Sequence, residues 1–329
     1  MTPLSGPLIF LTLMLALASA MAWALGAGSI ALNWGEIWQG LWEPESSTGL
    51  LIWQLRIPRL LAAACCGGLL ALAGALMQLL LRNPLADPAI LGVSAGASFV
   101  ALTALALGLS TAGLAYYSFA GAFGAIVLVL LLADVRRGWD VQRVLLTGVV
   151  VAAGFGAGIS FWLTLSSDLR LHSMLFWLMG DLSDASLPVV PAAGLAFALI
   201  CACLLAGSCN LLLRGELAAR ALGVQVKPLR WFLFLAACFC TALAVSIGGN
   251  LGFIGLVAPH SLRLFGVWDH RILLPASCLL GAVLLVIADT TARLLLAPVQ
   301  IPVGVLTAAF GVPLLLYLLR QRAYGGGNA

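Results

Sequence analysis

The chain has 329 residues, of which 63% are hydrophobic and 9% charged, with a formal net charge of +4 and a mean hydropathy of +1.12. A soluble domain carries roughly 45–50% apolar and about 25% charged residues, so no soluble fold of this length hides so much apolar surface. The apolar runs reach the about 20 residues that one helical crossing of a bilayer needs, and the alternating pattern of an outer-membrane barrel is absent. The expected fold class is an all-α polytopic membrane bundle, one compact transmembrane domain over residues 1–329.

The first run, LIFLTLMLALASAMAWALGAGSI, lacks the basic flank of a secretory signal and outruns its apolar core. It reads as a first membrane helix near 8–32. Further helices are expected near 57–81, 89–108, 112–133, 143–166, 188–209, 231–249, 256–266, 272–296 and 303–319, with a short surface helix near 171–181. Between the second and third crossings lies RNPLADPAILGVSAGA, residues 82–97. There Pro84 and Pro88 stop helix continuation, and Gly92, Ser94 and Gly96 give the next helix a thin face. Gly67, Gly68, Ala71 and Gly74, like Gly154, Gly156 and Gly158, predict helices that approach closely. The run at 256–266 is too short to span alone at about 1.5 Å per residue. The preceding IGGNLGFIG, 247–255, is expected to complete that crossing as non-helical backbone inside the bundle, where such backbone is tolerated.

Ten crossings return the C-terminus to the side of the N-terminus. With both ends in the cytoplasm, 12 of the 16 Lys and Arg residues fall inside; only Arg56, Arg59, Arg170 and Arg293 fall outside. This asymmetry satisfies the positive-inside rule, and the opposite orientation would violate it. The eight cysteines sit in or beside apolar runs without a CxxC pair, which marks them as packing residues. No metal site and no cofactor is expected, and nothing points to a nucleic-acid partner.

Ion-coupled carriers use carboxylates or histidines within the membrane. Here only Asp289 lies within a helix, four residues before Arg293 and able to pair with it. No GxxxxGK[ST] loop occurs, so the chain has no nucleotide cradle of that type. Power for uphill transport must then come from a separate protein docked on the inner face. The docking candidate is RGELAARALGV, 214–224, within a segment of about 210–228. Gly215 and Gly223 bracket two helical turns, Glu216 can pair with Arg220 at i+4, and Ala218, Ala219 and Ala221 leave a slim surface. A solvated connecting helix is the plain alternative.

QLRIPR (54–59), GALMQLLLRNPLADPAILGVSAGA (74–97), GELAARALGV (215–224), GFIGLVAPHSLRLF (252–265), DHRILLP (269–275), LLVIADTTAR (284–293) and IPVGVLTAAFGVP (301–313) occur in that order. Together they resemble the FecCD family of ABC-importer permeases over about residues 30–320. The resemblance implies ten helices in the bacterial inner membrane and a second permease copy, as a homodimer or a pair. It also implies an ABC ATPase subunit dimer below and a periplasmic substrate-binding protein above. The chain itself would not be an enzyme. The cargo would be a metal chelate, a ferric siderophore or haem, with cobalamin as the alternative. A passive channel, an ion-coupled carrier and a non-transporting scaffold are the rival classes.

By position, the resemblance makes Gly215, Glu216, Ala218, Ala219, Leu222 and Gly223 the coupling helix that receives the ATPase stroke. It makes Arg56, Arg59 and Arg293 the docking points for acidic residues of the binding protein, against a simpler role as interfacial anchors. Pairing with Asp289 would weaken the claim of Arg293. Asn83, Pro84 and Leu85 match a cytoplasmic gate-forming turn, with Asp140, Val141 and Gln142 opposite; a merely structural turn is the alternative. Two departures stand out: Gln300 where members usually have glutamate, and Asp181 where a small neutral residue is commoner. His172, His260 and His270 read as structural, hydrogen-bonded histidines.

Overall fold

The computed structural model describes residues 6–28, 30–133, 141–183, 185–297 and 299–325, and no strand occurs among them. Helix α1 (Gly6–Gly26) is followed by α2 (Trp34–Trp42) and α3 (Ser47–Leu50), which continues through a π-helical turn at Leu51–Arg56 into α4 (Ile57–Leu80). A 3-10 turn at Pro88–Leu91 leads to α5 (Val93–Ala106), α6 (Leu114–Leu132), α7 (Val141–Leu165) and α8 (Asp168–Met179). Then come α9 (Val189–Leu204), α10 (Ala206–Leu213), α11 (Glu216–Ala221), α12 (Val226–Gly248), α13 (Ile254–Leu264), α14 (His270–Leu294) and α15 (Val303–Gly325).

Every one of the ten expected apolar runs carries a helix, the sixth as the pair α9–α10 bent by 59°. Length divides them. Among the described residues six helical segments are long and apolar enough to cross a bilayer, and the bent pair makes seven. Helix α5, the stretch Val303–Leu316 of α15, and the 11-residue α13 are shorter. Two of these begin as other backbone: α5 follows a 3-10 turn and the left-handed Gly92, and α13 follows the non-helical Gly249–Phe253.

That lead-in is held by protein. The Asp181 N–H donates to the Gly248 carbonyl at 3.0 Å, the Ile254 N–H donates to that of Gly252 at 2.9 Å, and Leu251 is buried. A Cβ on Gly249 would run into the Trp177 carbonyl. Phe253 adopts a φ of +69°, rare for a residue with a side chain.

Helix α4 is the central post. Its apolar window is 89% buried, against 17% for those of α1 and α7, and it packs on α12, α13 and α14. In lipid, apolar burial gives no drive to helix pairing, so close backbone contact does the work. A Cβ at Gly67 would collide with the Gly281 carbonyl of α14, and one at Gly74 with the Gly255 carbonyl of α13. Gly154 and Gly156 of α7 behave otherwise: a Cβ there meets open space among the described residues. The close approach expected of these two is therefore not made among the described residues.

Helix α2 was not anticipated as a separate element. Its signal is the local sequence Asn-Trp-Gly-Glu: the Asn33 Oδ1 accepts from the Glu36 N–H at 2.9 Å and the Asn33 N–H donates to Glu36 Oε2 at 2.8 Å, a capping box. Trp34, Trp38 and Trp42, at i, i+4 and i+8, are all exposed, while Ile37 turns inward. Six cysteines are buried and two half-buried, and none is in a disulfide.

Candidate functional site

One candidate site surrounds the start of α4. The turn Leu51–Arg56 delivers Arg56, the first turn of α4 delivers Arg59, and the last turns of α14 deliver Asp289 and Arg293. The Arg59 Nε donates to Asp289 Oδ1 at 3.0 Å and Nη2 donates to the same oxygen at 2.9 Å, while Nη1 donates to Gln300 Oε1 at 2.9 Å. Arg56 donates to the carbonyls of Leu25 and Ile30. The Arg293 Nε lies 3.3 Å from Asp289 Oδ2 without hydrogen-bond geometry, and its Nη2 donates to Thr290 Oγ1 at 3.3 Å.

Arg56, Arg59 and Asp289 are buried. A cavity of about 200 Å³ is lined by Arg56, Arg59, Arg293, Ser183 and Gln300, with Leu51 and Leu55 on its apolar side. Three arginines line this cavity, and the Asp289 carboxylate pairs with two of them, Arg59 and Arg293, which leaves a surplus of positive charge suited to anionic groups. The expected pairing of Asp289 with Arg293 is present, but Asp289 is engaged more fully by Arg59. Arg59 is committed to Asp289 and Gln300 and Arg56 to two backbone carbonyls, so of these three Arg293 retains the most donor capacity.

The second candidate lies at the other end of α4. That helix has 24 residues, so its ends are about 36 Å apart at the rise of an α-helix. Asn83 folds its own turn: its Oδ1 accepts from the Leu85 N–H at 3.0 Å, and its carbonyl accepts from the Ala86 N–H at 3.1 Å. Asn83 is exposed, and Pro84 and Leu85 are half-buried. Asp87 caps the following 3-10 turn, its Oδ1 accepting from the Ala89 N–H at 2.8 Å. This turn packs on α7, where a Cβ at Gly92 would touch the Gly148 carbonyl. Asp140 falls outside the described residues, Val141 opens α7, and Gln142 is exposed on its first turn.

Near that end stands α11, bounded by Gly215 at φ +118° and Gly223 at φ +83°. Both values lie in the left-handed half of the map that favours glycine. Glu216 meets Arg220 at 2.6 Å, as its i+4 spacing predicts, and also Arg230 of α12 at 2.7 Å. Desolvation alone would raise the Glu216 carboxyl, but Arg230 and then Arg220 outweigh it and hold it below the ordinary carboxylate range. Ala219 is the buried anchor of the helix. Ala218 and Leu222 face outward, and Leu217 is 85% exposed. Leu217 escaped sequence reasoning, although its place between Glu216 and Ala218 inside the glycine brackets was the available signal.

His172 stacks on Phe176 with ring centroids 4.5 Å apart, and His260 is buried within α13. His270 is buried at the start of α14, with its Nδ1 2.8 Å from Asn210 Oδ1. No group of three His, Cys, Asp or Glu residues fit to hold a metal occurs among the described residues.

The model of the FecCD transport family matches residues 5–321. The vitamin B12 import system permease protein BtuC of Salmonella paratyphi A is 37% identical over 305 residues, covering 89% of this chain and 91% of that protein. BtuC of Salmonella typhi gives the same figures. Among solved structures, an inward-facing metal-chelate type ABC transporter superposes with a TM-score of 0.83 at 32% identity, covering 96% of this chain and 99% of that one. PsaBC from Streptococcus pneumoniae shares the fold at a TM-score of 0.54 and 15% identity. With the family model matching nearly end to end, this multi-pass membrane chain belongs to the FecCD transport family, as a transport permease.

Proposed function

We propose that this chain is the membrane-spanning subunit of an ATP-driven importer of a bulky metal chelate, working in the bacterial inner membrane with both termini in the cytoplasm. The observation that carries the reading is α11: a glycine-bracketed helix that buries only Ala219 and presents Leu217 and Leu222 outward. An ABC ATPase dimer docks there and supplies the energy. The cavity of Arg56, Arg59 and Arg293 faces the periplasm and receives acidic side chains of a substrate-binding protein. The turn Asn83–Leu85, with the start of α7, forms the cytoplasmic gate. A second copy of the chain completes the pathway, and the open glycine face of α7 at Gly154 and Gly156 supports its closeness to that copy.

The chelate is a ferric siderophore, haem or a corrinoid. Likeness to BtuC favours the corrinoid as the second reading, cobalamin being itself a cobalt chelate. Proteoliposomes carrying the chain, its cognate ATPase and its binding protein test the proposal. Chelate should accumulate with ATP and not without it, and a panel of ferric siderophore, haem and cobalamin names the cargo. Uptake by the chain alone, indifferent to ATP, would return the protein to the class of channels or ion-coupled carriers.

A further inference from the structure

Four described helices end in the same backbone device. In this Schellman motif the residue after the helix takes a left-handed conformation, its N–H bonds back three residues, and the next N–H bonds back five. Helix α5 ends this way at Gly108, α11 at Gly223 and α13 at Gly266. Helix α4 does so too: the Arg82 N–H donates to the Leu79 carbonyl at 3.2 Å and the Asn83 N–H to that of Gln78 at 3.2 Å. Yet its left-handed residue, at φ +48°, is Arg82. An L side chain in that conformation costs about 1–2 kcal/mol that glycine avoids, so the arginine demands a reason.

Its side chain supplies one. The Arg82 Nη2 donates to the Leu212 carbonyl at 3.5 Å, and the same carbonyl accepts the N–H of Gly215 at 3.1 Å. Leu212 lies in the last turn of α10, whose unpaired carbonyls attract a cation. One oxygen thus joins the residue before the Asn83–Leu85 turn to the glycine that opens α11.

The far side of α10 is clamped as well. Asn210 Nδ2 donates to Asp269 Oδ1 at 2.7 Å, and Asn210 Oδ1 accepts from the His270 N–H at 2.9 Å. At its upper end α10 is separated from α9 by the 59° bend. It is therefore a short arm with a break at Leu205, a tether to α4 and a clamp on α14.

We propose that Arg82 is the positioning residue that carries displacement of α11 to the Asn83–Leu85 turn through α10. The inference rests on the proposed roles of α11 and that turn. The variant R82G separates tether from fold, because glycine relieves the left-handed strain while removing the side chain. Thermal stability should hold or rise, whereas a merely structural arginine would lower it when lost. In the purified chain alone, amide exchange at residues 211–216 should accelerate while the interior of α4 is unchanged. In the reconstituted complex, chelate moved per ATP hydrolysed should fall about tenfold, within the usual range of coupling between sites, while ATP hydrolysis persists. R82K, which keeps a donor, should recover part of the loss. Unchanged exchange at 211–216 in R82G, or transport and hydrolysis falling together in proportion, would overturn the tether. Failure of the wild-type chain to engage an ATPase would instead sink the permease reading and leave the exchange result to judge the tether alone.

Discussion

The two ends of α4 handle charge in opposite ways. At its start, Arg59 of α4 and Arg293 of α14 interlock with Asp289 of α14, with Arg59 and Asp289 both buried. Near its end, Glu216 of the largely exposed α11 holds Arg220 on the same helix and Arg230 on α12. The first arrangement is preformed, because burying charge without its partner is expensive. The second is a solvated grip that costs little to break and reform. A preformed cluster at one end and a loosely held contact at the other suit the proposed docking at the first and the proposed drive at the second.

Removing the shared carboxylate breaks the comparison most severely. Asp289→Ala strands Arg59 and Arg293 with no acid between them, and loss of one partner of a buried ion pair typically costs about 3–5 kcal/mol. A large drop in thermal stability in detergent is expected. A variant as stable as the parent would show that the cluster is wet and open. The brackets of α11 come next. Gly215→Ala and Gly223→Ala meet no steric obstacle among the described residues, so their cost is purely conformational, about 1–3 kcal/mol. That loss should appear as faster amide exchange across 215–223 with global stability unchanged.

These regions were legible to different degrees. The membrane helices announced themselves by length and apolarity, and the glycines of α4 foretold the contacts at Gly281 and Gly255. The Glu216–Arg220 pair was readable because both partners lie on one helix turn. The Arg59–Asp289 bond joins residues 230 apart, and no local pattern encodes such a meeting. The same holds for Arg82 and Leu212, where the acceptor is a backbone carbonyl that any residue provides. Helix α2 escapes an apolar-run reading for a different reason: its nine residues are far too short for a membrane crossing, although its capping box is in plain view.

Gln300 offers a finer test of the preformed end. It accepts from Arg59 as a neutral amide, so Gln300→Glu would add a second carboxylate to the cluster and remove part of its positive surplus. Binding-protein association should slow several-fold at low salt and converge with the parent at high salt, as expected of a steering charge. A salt-independent effect would mean that shape, rather than charge, sets docking.

The smallest effect belongs to Glu216 and depends on pH. Its folded carboxyl is held below the ordinary range, the Arg230 and Arg220 pairs outweighing desolvation. A depressed acid contributes stability that is complete above its unfolded pKa of about 4.3 and is lost as pH falls through the folded value. Amide exchange across 216–221 should therefore be flat from neutral pH down to the ordinary carboxylate range, once the intrinsic pH dependence of exchange is divided out, and accelerate only below it. Glu216→Gln should show no such acid step, starting about 0.5 kcal/mol weaker, because exposed pairs contribute little each. If parent and variant share one profile, the two arginines do not hold α11 against α12, and Ala219 alone seats the helix.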